Sequence, residues 1–211
     1  MNLPETLPQR LWLLAYDVER KRLTSRWKLG YLIRAGVLAE LMLRGHLADA
    51  TGGPEVRRTA IVDDQVLDAA FQQIANSRRR TWQHWVNKGS GRAVRQVRDQ
   101  LEAGGWIRVE HRRLLGVIPL ARVTVRDTRV VRRLASTVST AMRGGQPVSR
   151  MDDREAALTA LAAVVRLRTV MPGSQWRAAR KRGDELGDVV APVPRALHKA
   201  IQAAQAAAAA G

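Results

Sequence analysis

Cysteine is absent from this 211-residue chain. Its absence excludes a disulfide framework, a thiolate-ligated zinc or iron–sulfur centre and thiol catalysis, and it suits a cytoplasmic setting. Aromatic residues are scarce, at 4% against 45% hydrophobic residues in all, and 31 of the hydrophobic residues are alanine. A core built from such residues is expected to consist of closely packed helices rather than an aromatic-rich sandwich. Long apolar runs are missing too. The longest near-apolar stretch, Ala156 to Val165, is interrupted by Thr159 and stops at Arg166, well short of the roughly 20 residues that span a bilayer. Met1 to Pro8 lacks the basic segment and apolar stretch of a secretory leader.

Acidic residues are the remaining shortage. Nineteen Asp and Glu face 36 Lys and Arg, a formal net charge of +17, and 31 of the basic residues are arginine. A surplus of this size points to a polyanionic partner: nucleic acid, anionic lipid or an acidic protein. Arginine suits the task because its planar fork grips phosphate oxygens in pairs.

Apolar periodicity predicts a mainly α, single compact helical domain over residues 1–211 with one protruding β-hairpin. Leu7, Leu11 and Leu14 share a helical face, and Lys28 to Arg44 is apolar nearly all round before Gly45, which marks it as central to the core. Thr51 to Arg58 reads as a loop and Thr59 to Val62 as extended. Helices follow on Leu67, Ala70, Phe71 and Ile74, on Trp82, Trp85 and Val86, and on Val94, Val97 and Leu101, the last with Ser90 as its expected N-cap. The period then changes to two, predicting a hairpin over about 106–125. Further helices are built on Val131, Leu134 and Val138 and on Leu158, Leu161 and Val165, the second opened by Ser149 and Asp152 as a capping box. An alanine-rich helix over 195–210 closes the chain.

Little in the chain resembles catalytic or metal-binding machinery. The four histidines (His46, His84, His111, His198) form neither an i, i+4 pair nor a tight cluster. Asp63-Asp64 and Asp152-Asp153 each precede a helix and read as caps. The Gly pairs at 52, 104 and 144 lack the phosphate-loop lysine, and there is no nucleophile elbow. No enzyme activity, metal or cofactor is expected.

Basic residues are better organised. From Asn76 to Arg133 there are fifteen Lys or Arg and four Asp or Glu, a net +11. Two readings follow. In one, Arg92, Arg95 and Arg98 lie on a recognition helix and the hairpin is a wing, giving a winged-helix nucleic-acid binder. In the other, Leu114, Leu115, Val117 and Ile118 at the hairpin turn enter a bilayer while Arg112, Arg113 and Arg122 hold lipid phosphates. Four apolar residues at the turn suit the second partner better than a wet, charged groove.

The order of short motifs then adds to this. Leu3-Pro4-Glu5 leads to Leu13-Leu14-Ala15-Tyr16-Asp17, followed by Ala35-Gly36-Val37-Leu38-Ala39-Glu40-Leu41-Met42-Leu43-Arg44-Gly45. Val66-Leu67-Asp68-Ala69-Ala70, Leu101-Glu102-Ala103-Gly104-Gly105-Trp106-Ile107 and Arg150-Met151-Asp152-Asp153-Arg154 come next. Over nearly its full length the chain resembles the Golgi phosphoprotein 3 family, in the bacterial form common in actinobacteria. The resemblance implies a mostly helical peripheral membrane protein. Its eukaryotic relatives bind phosphatidylinositol 4-phosphate in a basic pocket beside an apolar hairpin and serve as adaptors for membrane-resident glycosyltransferases.

The family pocket uses a tryptophan and three arginines. Counting back from Glu40 places Arg34 on one arginine; Arg150 falls on the second, and Trp27 lies near the tryptophan across a two-residue gap. At the third arginine this chain has Asp153, with Arg154 beside it, and a carboxylate there repels phosphate unless it turns away or pairs. The resemblance therefore implies headgroup contacts from Trp27, Arg34, Arg150 and Arg154, and anionic-lipid binding more firmly than 4-phosphate specificity. For Arg34 an internal salt bridge is the competing role, and for Trp27 it is simple packing. The expectation is a cytoplasmic protein peripherally associated with anionic phospholipid membranes. A membrane-associated client protein, or a homo-oligomer formed through the hairpin, is compatible with it, and nucleic acid is the alternative partner.

Overall fold

A computed structural model describes residues 2–57, 61–114, 118–144 and 146–210, with 111–114 and 118–121 described by their backbone. The elements, in chain order, are α1 (Leu7–Leu14), β1 (Tyr16–Asp17), β2 (Arg22–Leu23), α2 (Arg26–Leu43), β3 (Leu47–Ala50), β4 (Gly53–Val56), α3 (Gln65–Ala75), α4 (Trp82–Asn87) and α5 (Ser90–Ala103). Then come β5 (Ile107–Leu114), β6 (Ile118–Val125), α6 (Thr128–Arg143), α7 (Asp153–Val165), α8 (Gly173–Ala178), α9 (Arg180–Leu186) and α10 (Pro192–Ala209), with 3₁₀ turns at Val148–Arg150 and Gly187–Val190. Among the described residues helices predominate and the sheets are small two-stranded ones, so the fold is mainly α.

Helix α2 is the axis of the molecule. Leu29, Leu32, Ile33, Val37, Leu38 and Leu41 point in several directions around it, and all are buried. A helix apolar on every side must be wrapped, and α1, α3, α4, α5, α7 and α10 all pack on it. Helix α7 is likewise buried from Ala156 to Ala162. It runs antiparallel to α2, since Arg154 near its start meets Glu40 near the end of α2. At Gly36 the approach of α1 is so close that a Cβ would stand 2.6 Å from Leu11 Cδ1.

Carboxylates start three of the helices, as adjacent aspartates before an apolar run suggest. Asp64 accepts from the Val66 and Leu67 amides at 2.9 Å, and Asp127 from the Arg129 amide at 2.9 Å. Asp152 caps α7 by accepting from the Glu155 amide at 3.1 Å. This corrects the expected Ser149 capping box, because Ser149 belongs to the preceding 3₁₀ turn. Similarly Ser90 is the first residue of α5, and Gly89, at φ 75°, precedes it as the cap. Helix α10 starts at Pro192 rather than near Arg195, because prolines fit a first turn, where no amide is needed.

The expected hairpin is present, in register from Ile107↔Val125 to Leu114↔Ile118. Its base is anchored by buried Ile107 and Val125. The Tyr16 hydroxyl donates to the Val123 carbonyl at 3.2 Å, and the Val109 amide donates to Glu102 at 3.0 Å. Two smaller ribbons join it. One, β1–β2, precedes α2; the other, β3–β4, pairs Leu47–Ala50 with Gly53–Val56, where the sequence suggested a loop. The extended segment expected over 59–62 lies partly outside the described residues. Among the described residues, no helix is long and apolar enough to cross a membrane.

Candidate functional site

The four residues expected to share a headgroup site go to different surroundings. Arg34 is buried, at 4% exposure, on the side of α2 that faces α3 and α4. Its Nε donates to the Trp85 carbonyl at 3.0 Å and its Nη2 donates to Gln73 Oε1 at 3.2 Å. No carboxylate meets it among the described residues, so the internal salt bridge weighed for Arg34 is replaced by neutral acceptors. Burial pulls its pKa down to about 10.

Arg154 belongs to a different centre. Its Nη2 donates to Glu40 Oε1 at 2.8 Å and its Nε to Oε2 at 3.1 Å. Arg44 adds a bond to Oε1 at 2.9 Å, and the Leu7 amide one to Oε2 at 2.8 Å. Six positions apart on a helix of 3.6 residues per turn, Arg34 and Glu40 are rotated by about 120° around α2. The structure therefore does not bring Arg34 and Arg154 together. Arg150 is exposed at the end of the 3₁₀ turn before α7.

Trp27 is exposed as well. Its indole is 51% exposed while Trp12, Trp82, Trp85 and Trp176 are buried. Lys28 Nζ lies 5.0 Å from the Trp27 ring centre. Burial first, and then the Arg166 guanidinium, hold the Lys28 ammonium below its usual pKa. Positive charge is thus concentrated where α2 begins and α7 ends.

Beside Trp27 the same end of the molecule carries an open cleft of about 470 Å³. Arg20, Arg22, Arg26 and Arg168 line it, with Asp17 as its one acidic residue. The β1–β2 ribbon supplies Arg20 and Arg22, the first turn of α2 supplies Arg26, and the segment after α7 supplies Arg168. Asp17 is engaged by Arg20, whose amide donates to Oδ1 at 2.9 Å and whose Nη1 stands 4.0 Å from Oδ2. Helix α2 opens on Ser25, in the left-handed conformation at φ 51°, with no side-chain cap and no acid in its first turn. An uncapped helix N-terminus adds its own partial positive charge to the arginines.

Sequence reasoning missed this cleft. The available signal was local: Arg20, Lys21, Arg22, Arg26 and Lys28 fall within nine residues that contain no acid. Arg168 carried no signal, because only the fold returns the end of α7 to the start of α2.

The remaining candidates are plainly placed. Arg92 and Arg95 are exposed on α5, whereas Arg98 donates to its neighbour Asp99 at 2.7 and 2.9 Å. Leu114 and Ile118 form the last strand pair of the hairpin by backbone, and their side chains, with Leu115 and Val117, lie outside the described residues. A second, smaller cavity of about 260 Å³ lies at the α3–α4 junction, lined in part by Arg78, Arg79, Arg80, Trp85 and Glu55. Among the described residues, no group of three or more His, Asp or Glu is placed to hold a metal ion.

Comparison with known proteins agrees with the motif order. No curated protein matches the chain significantly. The family model described as Golgi phosphoprotein 3 (GPP34) matches residues 7–204, from the first helix to near the end of the last. The chain belongs to the Golgi phosphoprotein 3 family.

Proposed function

We propose that this protein acts by binding, docking peripherally on anionic phospholipid surfaces with the Trp27 end of the helical body and the β5–β6 hairpin. The observation that carries the reading is the exposed Trp27 indole next in sequence to Arg26 of the arginine-lined cleft. Indole rings settle at the headgroup level of a bilayer, and arginines beside them meet lipid phosphates. Each basic residue near an anionic leaflet contributes about 1 kcal/mol. The hairpin turn residues Leu114, Leu115, Val117 and Ile118 would enter the acyl region, each leucine contributing roughly 1.5–3 kcal/mol if fully buried. On this reading Arg150 adds to the attracting surface, while Arg34 and Arg154 hold the scaffold. Family membership supports the reading, and a client protein carried by the docked molecule is compatible with it.

The test compares co-flotation with anionic vesicles and gel shift of duplex DNA at matched ionic strength. Wild type, Trp27→Ala, Leu114→Asp and Arg95→Ala are compared. Docking predicts flotation that weakens in both Trp27→Ala and Leu114→Asp and falls with salt. Strong duplex binding that is lost in Arg95→Ala and indifferent to Leu114 would replace this reading with the nucleic-acid one.

A further inference from the structure

The β5–β6 hairpin is a ribbon of two strands, and such a ribbon leaves a row of unpaired backbone groups along each edge. Which groups face outward follows from the register. The Arg126 amide donates to the Trp106 carbonyl at 3.0 Å, which makes Trp106 and Arg126 a hydrogen-bonded pair. Bonded and unbonded pairs alternate along an antiparallel ladder. Val109↔Val123 is therefore an unbonded pair, and both residues turn their amide and carbonyl away from the ribbon.

At this rung the helical body meets both edges. Glu102 of α5 accepts from the Val109 amide at 3.0 Å, and Tyr16 of β1 donates to the Val123 carbonyl at 3.2 Å. The rung lies where the hairpin leaves the body. Ile107 and Val125 at the base are buried, Val109 and Val123 are half-buried, and Arg108 and Arg122 beside them are exposed. Partners on opposite edges resist swinging of the ribbon in either direction, where a single partner would leave a hinge. Neither partner is loosely held. The Tyr16 ring is 2% exposed and stacks on Trp12, with ring centres 6.5 Å apart. Glu102 lies in the last turn of α5 beside the fully buried Leu101. Tyr16 also belongs to the frame that carries Trp27, since it pairs with Leu23 in the β1–β2 ribbon, which passes through Ser25 into α2.

We propose that Tyr16 and Glu102 form a two-sided clamp that fixes the direction in which the β5–β6 hairpin projects from the helical body. Both are positioning residues and act on a bilayer only through the hairpin. The clamp's purpose rests on the docking reading: it holds the hairpin turn and Trp27 on one stiff frame. Two contacts on such a frame engage a surface as one bivalent unit, whereas a swinging hairpin has to be ordered each time it docks. Affinity then comes from preorganisation rather than from added contacts.

The chain has no cysteine, so a pair can be introduced for spin labels. Arg112→Cys lies beyond the rung and Gln72→Cys is exposed on α3, so the distances between their labels report the spread of hairpin directions without any membrane. Tyr16→Phe, Glu102→Ala and Glu102→Gln are compared with wild type in this full-length background. Flotation on phosphatidylglycerol vesicles and urea unfolding are measured on the same substitutions without labels. Tyr16→Phe and Glu102→Ala are each expected to widen the distance distribution and to weaken flotation about three- to tenfold, the equivalent of one lost hydrogen bond. Glu102→Gln keeps a side-chain carbonyl for the Val109 amide, so it should retain the wild-type width and float within about twofold of wild type. A loss of unfolding stability with an unchanged distance distribution overturns the clamp and leaves Tyr16 and Glu102 as ordinary structural residues. Widening with flotation equal to wild type overturns its role in docking. The two readings fail separately: a wild type that does not float, with widening in both variants, removes docking and keeps the clamp. Flotation with no widening removes the clamp and keeps docking.

Discussion

The Glu40 carboxylate, with no solvent exposure, and the Arg154 guanidinium form a two-pronged ion pair that ties α2 to the start of α7, with bonds of 2.8 and 3.1 Å. The Leu7 amide and Arg44 fill the other positions on the carboxylate, so α1 is tied to the same point. Removing the acid strands a partly buried guanidinium and an orphan helix amide. Glu40→Ala is therefore expected to cost about 3–5 kcal/mol, measured by urea unfolding. A loss below about 1 kcal/mol would show that the pair is merely decorative.

The same carboxylate has a pH signature. Burial opposes its ionisation, but bonds from Arg154, the Leu7 amide and Arg44 outweigh it and hold the Glu40 pKa below its usual value. In the window between the depressed folded pKa and the ordinary unfolded pKa, the unfolded chain binds more protons, so stability rises with pH. The contribution is fully present above the unfolded value, about 4.3, and is lost as pH falls through the folded one. Acid titration of unfolding free energy should show this slope in wild type and a shallower one in Glu40→Gln.

Arg34 is the contrasting case. Its charge is buried with neutral acceptors only, the Trp85 carbonyl and Gln73. Arg34→Met keeps most of the apolar stem, removes the desolvation cost of the cation, orphans the Trp85 carbonyl and takes one donor from the half-buried Gln73 side chain. These offset, and the change in unfolding free energy should stay within about 1 kcal/mol. Vesicle flotation should be unaltered, because the side chain is 4% exposed. Flotation lost at unchanged stability would instead mean that this guanidinium reaches the ligand.

These contrasts mark where the sequence was readable. The all-round apolar pattern of Lys28–Arg44 correctly placed α2 at the centre, and the change to period two located the β5–β6 hairpin, because both signals are local and repeated. The β3–β4 ribbon escaped because four-residue strands containing Gly53 and Pro54 look like a turn. The resemblance grouped Arg34 and Arg154 in one headgroup site, but they are apart in space, since the helical rotation that separates Arg34 from Glu40, the partner of Arg154, by about 120° is invisible in motif order. The cleft needed Arg168 and Arg26, 142 positions apart in the chain, to line one hollow.

Gly53 predicts a rigidity that no motif announces. A Cβ there would collide with the Arg80 carbonyl oxygen, so β4 and the α3–α4 loop meet backbone to backbone. Trp82 Nε1 donates to Asp49 at 2.6 Å and fixes α4 to β3 next to this contact. Gly53→Ala is expected to destabilise by about 1–3 kcal/mol through forced backbone shifts, checked by thermal and urea unfolding.

Trp27 provides the most direct readout of docking. Trp12, Trp82, Trp85 and Trp176 are at most 6% exposed and Trp106 is half-buried, so, measured in a Trp106→Phe background, iodide in water should quench chiefly the indole that is 51% exposed. Adding anionic vesicles should shift that component of the emission to the blue and shield it from iodide, as the ring leaves water for the headgroup layer. Trp27→Ala should remove both changes while leaving stability within about 0.5 kcal/mol, since a half-exposed surface side chain holds little of the core. The cation at 5.0 Å, Lys28, is expected to strengthen the response on anionic over neutral vesicles. A blue shift of equal size on neutral vesicles would mean that apolar insertion alone drives the contact. No shift at all, with flotation intact, would put the hairpin rather than the start of α2 against the bilayer.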